Sequence, residues 1–289
     1  WFVISTPAPS PWHAPAPLHG EPARGSQIYP ALPGPTGDHL WGDHGFMCGR
    51  FVATTDPALL AARLNAVDET GQRLAGPNYN VAPTTTIAAV VAPATTMAGE
   101  LARHEDDGTE RRILPVRWGL LPPWVKAGAG GKPLAKSLLI NARAETLTTS
   151  PAFRAAARSR RCLVPMDGYY EWMPSPEPGA KTPFYMYRRD GSPILVAGLW
   201  SAWRPDEASA PTLTCSIVTT DAVGDLAEIH HRMPLMLDEH DCDRWLNPDE
   251  PAPEDLLAEP PDISEIAIRE VSRLVNRVAN NSAELLEPA

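Results

Sequence analysis

The sequence predicts an α+β protein built on a mostly antiparallel, curved sheet or open barrel, flanked by a few helices. Seven short apolar or alternating runs, each bounded by Pro, Gly or Asp turn residues, read as strands, whereas four stretches have helical spacing. Few helices fall between the strands, which disfavours a doubly wound parallel fold with its helical crossovers.

In chain order, "TTDPALLAARLNAV" opens the ordered part. Asp56 is a cap-forming residue before Pro57 at the first helical position, and leucines follow at helical spacing. The strand-like runs are "TTIAAVVA", "RRILPVRWGL", "RCLVP", "GYYEWM", "PFYMYR", "PILVAGLW" and "TLTCSIVTT". Further helices fit "SPAFRAAARS", "DAVGDLAEIHH" and "DEHDCDRWL". Neither a GxGxxG nor a GxxxxGK[ST] motif occurs, no repeat of fixed period is visible, and nothing breaks 47–289 into two domains.

Residues 1–46 differ in kind. They hold nine prolines, six glycines and four histidines against one cation, Arg24, and carry no periodicity, as expected of a disordered leader. The chain begins with Trp1, which is no initiator; Met47 is the expected working start, with the leader absent from the mature protein. From Met47 onward, 24 basic and 32 acidic residues leave a net charge of −8.

Of the 289 residues, 43% are hydrophobic and 21% charged, a soluble globular mix. Neither a signal peptide nor an apolar run long enough to span a membrane occurs, so a cytoplasmic protein is expected. A net charge of −10 disfavours coating nucleic acid by bulk electrostatics, and any DNA contact needs a local basic patch. Cys48, Cys162, Cys215 and Cys242 form no CxxC or Cys/His cluster, so neither a zinc site nor a disulfide framework is expected, and no cofactor is indicated.

One cysteine stands apart. Internally, Cys48 reads as a small buried hydrophobe. Freed by removal of Met47, it presents an α-amine of pKa about 8 beside a thiol of pKa about 8.5. Such an aminothiol condenses with an aldehyde to an imine, and the tethered thiolate then closes a five-membered thiazolidine. A retained leader abolishes this chemistry.

Downstream lie "YNVAPTT" (79–85), "WGLLPPWVK" (118–126), "INARAET" (140–146), "RRCLVPMDGYYEW" (160–172), "PFYMY" (183–187), "AGLW" (197–200) and "EIHHRMPLML" (228–237). With "MCGRF", this ordered series resembles the SRAP family, the SOS response-associated peptidase domain proteins that crosslink to abasic sites in single-stranded DNA. The resemblance runs from Met47 through "VNRVANNSAELLEP" and covers none of the leader. It implies the SRAP fold over 47–289, a thiazolidine crosslink through Cys48, and service in DNA damage and the SOS response. It also implies a family-associated peptidase activity, extending to cleavage before Cys48, and lyase activity. The expected partner is single-stranded DNA containing abasic sites, engaged by a monomer that is nucleoid-associated when bound to damage, with no metal and no membrane.

Carried over residue by residue, the resemblance makes Asn141, Glu171 and His230 the active-site companions of Cys48. Glu171 suits proton movement if burial among Tyr169, Tyr170 and Trp172 raises its pKa; alone, it reads equally as a salt-bridged strand carboxylate. His230 titrates near neutrality, although "IHH" alone reads as a helix end. Asn141 can orient an amine or hydroxyl without competing for protons, and by itself is a turn residue. Arg50, Arg143 and Arg232 match family arginines that hold phosphates. Trp124 and Lys126 match the element that wedges against bases. Trp118 is expected in the core, and Asn80 either lines the pocket or forms a turn. Met233 stands where relatives carry a second arginine, which removes one phosphate contact.

Overall fold

The computed structural model describes residues 48–92, 111–135, 137–175, 177 and 179–289. The expected leader, 1–46, lies outside the described residues. Residues 47–289 form one compact unit.

The strands carry the fold. β4 (Thr86–Val91), β5 (Arg111–Trp118), β7 (Arg161–Met166), β10 (Ile194–Trp203) and β11 (Thr212–Asp221) form a ring in which each strand pairs with two others of the ring. Four of the five pairings are antiparallel. The fifth, between β11 and β5 at Thr214↔Arg117 and Cys215↔Trp118, is parallel and closes the barrel. The expected class therefore holds, and the sheet goes one step beyond an open barrel.

Period-2 alternation puts Ile87, Ala89 and Val91, Val116 and Trp118, Cys162 and Val164, Val196 and Trp200, and Cys215 and Ile217 into one core. The intervening Val90, Ile113, Leu163, Leu195, Ala197, Leu199 and Val218 join a second core. That outer core is covered by α1 (Pro57–Leu64), α2 (Arg154–Ser159) and α4 (Cys242–Leu246). Trp118 is fully buried, as its pattern predicts. Gly198 is required here, because a Cβ would lie 2.8 Å from Cys162 Sγ. In α1, the Asp56 side chain accepts from Ala58 N–H at 2.7 Å, the cap that the sequence predicts.

A second, antiparallel sheet, in the order β14–β9–β8–β1–β3, lays Phe51, Val81, Tyr169, Met186 and Ile266 against the inner core. Its strands are β1 (Phe51–Ala53), β3 (Asn78–Val81), β8 (Gly168–Pro174), β9 (Lys181–Arg188) and β14 (Ile266–Glu270). β8 begins at Gly168, where a Cβ would meet Met186 O and the Tyr185 ring at 2.5 Å. Short strands complete the sheets: β2 (Ala66–Asp68) pairs with β5, β13 (Met236–Leu237) with β10, and β6 (Asn141–Arg143) and β12 (Arg232–Pro234) both with β11. The helix expected in "DAVGDLAEIHH" is a single turn, α3 (Leu226–Ile229), packed against β8. No helix among the described residues is long and apolar enough to cross a membrane.

Candidate active site

The site forms where the second sheet meets the barrel rim. Cys48 and Arg50 lead into β1, and Glu171 lies on β8, hydrogen-bonded to β1 at Phe51↔Tyr169. Asn141 begins β6, and His230 and Arg232 flank the start of β12, both strands running along β11. Asp167 fixes the chain beyond β1 by accepting from the backbone and hydroxyl groups of Thr54 and Thr55.

Cys48 and Glu171 are each 3% exposed. The backbone N–H of Cys48 donates to Glu171 Oε1 at 2.6 Å, and the thiol also bonds to that carboxylate. Burial pushes the Glu171 carboxyl up to about 7, against the opposing pull of the Cys48 thiol and amide and of Lys181. The Cys48 thiol is held well above its ordinary value by burial and then by Glu171, with Arg232 pulling the other way. Glu171 is thus poised to exchange protons near neutrality, while the thiol stays protonated until its surroundings change.

His230 Nδ1 lies 3.1 Å from the backbone N of Arg232 and 3.1 Å from its carbonyl O, which anchors the ring through one nitrogen. Burial and neighbouring cationic groups lower its pKa, so the imidazole is neutral at pH 7.

Arg232, matched in sequence to a phosphate-holding arginine, is enclosed by acidic partners. It is 6% exposed, with ion pairs to Glu145 at 2.6 Å and Asp221 at 2.5 Å, and Nη2 donates to Thr219 O. Its charge is engaged in joining β12 to β11 and to the segment after β6. Asn80 is likewise occupied: 2% exposed, its Nδ2 donates to the carbonyls of Val275, Arg277 and Asn280. Arg50 Nη1 donates to Asn80 Oδ1 at 2.7 Å and to Val275 O at 2.9 Å, and its guanidinium lies 5.8 Å from the Trp172 ring centre. Trp124 is 66% exposed, and Lys126 and Arg143 are exposed as well.

Two groups act on the site beyond the roles expected from sequence, where Tyr169 appears only as part of the apolar surround of Glu171 and Lys181 not at all. The Tyr169 hydroxyl is buried without a hydrogen-bond partner, and its titration feels both Cys48 and Glu171. Lys181 pairs with Pro174 at the end of the β8–β9 hairpin and acts electrostatically on both Glu171 and His230. Tyr169 follows from its i, i+2 relation to Glu171 on one strand face, whereas the hairpin register sets Lys181 on the other face, in line with Tyr170 and Trp172, so no local pattern points to it. Two cavities of about 480 and 520 Å³ open elsewhere, beside α4, and none of these residues lines them. Among the described residues no group of three His, Cys, Asp or Glu side chains is arranged to hold a metal ion.

The sequence profile of the SOS response associated peptidase (SRAP) family matches residues 47–278. The chain belongs to the SRAP family. Among relatives of this SRAP chain, Abasic site processing protein YoqW of Bacillus subtilis is 35% identical over 243 residues, covering 83% of this chain and 99% of that one. Abasic site processing protein HMCES of Gallus gallus is 27% identical over 271 residues, covering 84% of this chain and 78% of that one. The SRAP fold is shared with a protein from Bacteroides thetaiotaomicron solved by crystallography, at a TM-score of 0.68, 25% identity, and coverage of 84% of this chain and all of that one.

Proposed function

We propose that this protein captures abasic sites in single-stranded DNA by forming a thiazolidine crosslink through Cys48. The observation that carries the reading is the 2.6 Å contact between the Cys48 nitrogen and Glu171 Oε1. That nitrogen is an amide in the full chain, and it stands in for the α-amine that removal of residues 1–47 would create.

With the amine free, Glu171 accepts a proton from the ammonium and releases the nucleophile. The amine adds to the ring-opened sugar aldehyde, and the oxygen takes up a proton to give a carbinolamine. Glu171 returns a proton as that hydroxyl departs as water. The thiol then adds to the resulting imine carbon and gives its proton to the imine nitrogen as the ring closes. The sum is aldehyde plus aminothiol giving thiazolidine plus one water. A carboxyl with pKa about 7 serves both directions of proton transfer. Neutral His230 and Asn141 orient the sugar oxygens, and Arg50, Arg143, Lys126 and Trp124 meet the flanking strand. The protein acts as a monomer in the cytoplasm, associated with the nucleoid at damaged DNA during the SOS response, and resolves abasic strands by lyase chemistry.

Self-cleavage before Cys48 is a second reading, favoured by a specific feature. Cys48 adopts φ 43°, the left-handed region that a non-glycine residue enters at a cost of roughly 1–3 kcal/mol. Attack of the Cys48 thiol on the Met47 carbonyl passes the thiol proton to Glu171 and forms a thioester as the C–N bond breaks, and Glu171 hands that proton on to the departing Cys48 nitrogen. Water then hydrolyses the thioester, returning the thiol and releasing the leader as an acid. A general thiol peptidase fits less well, because nothing in the sequence identifies a peptide-binding specificity, whereas cleavage of the chain's own Met47–Cys48 bond needs no substrate cleft.

Denaturing gels test the capture. Protein that begins at Cys48 retards an abasic single strand after boiling, and absence of a retarded band overturns the proposal. Incubation of full-length wild type and Glu171→Gln tests self-cleavage: the leader is lost from wild type alone, and loss from both or from neither overturns that step.

A further inference from the structure

We infer that residues 273–278 form a second binding edge for single-stranded DNA, extending the strand's path from Arg50 along the C-terminal segment. This rests on the proposed capture function and assigns it an additional contact surface.

The segment, a 3-10 turn over Arg273–Asn276 followed by Arg277 and Val278, is tied to the reactive end of the second sheet. Arg50, two residues from Cys48, donates to Val275 O at 2.9 Å, and Trp172, next to Glu171, donates through Nε1 to Asn276 Oδ1 at 2.7 Å. Asn80 donates to the Val275 and Arg277 carbonyls, and Asn280 Nδ2 donates to Leu274 O at 2.7 Å. Val275 is fully buried beneath it. So many bonds to backbone hold one loop shape beside the catalytic strands.

What this held loop presents outward is unusual for the protein. Leu274 is 43% exposed and Val278 54% exposed, two of six large hydrophobics exposed among the described residues. Arg273 and Arg277 flank them. The Arg277 side chain has no ionic partner among the described residues, and Arg273 reaches only Glu177, at 3.9 Å between two exposed groups. In a chain of net charge −10, two cations interleaved with two aliphatic side chains complement a polyanion that also offers apolar base faces. Folding gives no reason to hold either pair in water, since the loop is secured through its backbone and through Val275.

The occupant is the strand flanking the lesion, with Arg273 and Arg277 on phosphates and Leu274 and Val278 against bases. The test is reversible binding of an undamaged single-stranded oligonucleotide by the full chain, followed across a salt titration. Arg273→Gln combined with Arg277→Gln is expected to flatten the slope of log K against log salt by about 1.4, from about 0.7 per lost phosphate contact. Binding at low salt weakens roughly tenfold or more. Leu274→Ser with Val278→Ser weakens binding and leaves the slope unchanged. Both double variants keep the wild-type melting temperature and, when begun at Cys48, react at the wild-type rate with a small soluble aldehyde. If wild type binds and crosslinks DNA and the arginine double variant matches it in slope and affinity, this inference falls alone; that result would instead leave the loop free for a protein partner. If wild type neither binds nor crosslinks DNA, the underlying function falls with it.

Discussion

Two buried polar centres in this protein are built on opposite principles. Around Arg161, which is 1% exposed, all five guanidinium N–H groups are matched by backbone carbonyls. Nη1 donates to Ala157 O at 2.7 Å and Arg158 O at 2.9 Å, Nη2 to Asn247 O and to Glu250 O at 3.0 Å, and Nε to Trp245 O. Four of these carbonyls come from the C-terminal ends of α2 and α4, where helices leave acceptors unfilled and favour a cation, and the fifth, Glu250 O, comes from the turn after α4. Burial still lowers the Arg161 pKa to about 10, yet the group stays charged at any physiological pH. At the site, Glu171 is met by the backbone N–H and the thiol of Cys48, burial raises its pKa to about 7, and the Tyr169 hydroxyl has no partner. A saturated buried charge holds elements together. An under-satisfied cluster, in which burial draws one carboxyl up toward neutrality and pushes the thiol and phenol beside it further up, stores reactivity at some cost in stability.

The largest effect that separates the centres is loss of the covalent product. Cys48→Ser keeps an amine able to form an imine but no thiol to close the ring, so boiling-resistant adduct disappears from gels, whereas Arg161→Leu retains it per folded molecule. Next, Glu171→Gln slows adduct formation about 10²–10⁴-fold in single-turnover assays. Arg161→Leu strands several buried carbonyls, and denaturant unfolding is expected to show a loss of about 3–5 kcal/mol.

The pH dependence of stability sharpens the contrast further. Glu171 has a folded pKa of about 7, raised above the ordinary carboxylate value of 4.5. Its stabilising contribution is therefore complete below pH 4.5 and is lost as pH rises through 7. The full loss is on the order of 3 kcal/mol, and Glu171→Gln removes that slope in urea titrations between pH 5 and pH 8. Removal of residues 1–47 shrinks the same slope, because an ammonium beside the carboxylate favours its ionised form. The smallest effect belongs to Tyr169→Phe, which deletes an unpartnered hydroxyl and changes stability by less than about 1 kcal/mol.

Much of this contrast was legible in the sequence, unevenly. Alternation in "TTIAAVVA" and "PILVAGLW" gives the barrel strands, and the run "GYYEW" places Glu171 on a strand among aromatics that bury it. The parallel β5–β11 closure joins residues nearly 100 positions apart, and no local pattern encodes it. Strands of three residues such as β1 and β6 are too short for periodicity to register. Arg232 reads as an open cation until Glu145, 87 positions away, and Asp221 are seen to enclose it. Asn80, which fits a pocket or a turn equally well from sequence, is a tether for the C-terminal segment.

Intact-mass spectrometry of protein beginning at Cys48, before and after mixing with an abasic single-stranded oligonucleotide, tests the capture chemistry most directly. A new species is expected whose mass is protein plus DNA minus one water, absent for Cys48→Ser and formed slowly by Glu171→Gln. Protein that keeps its free mass in the presence of the aldehyde-bearing strand would contradict it.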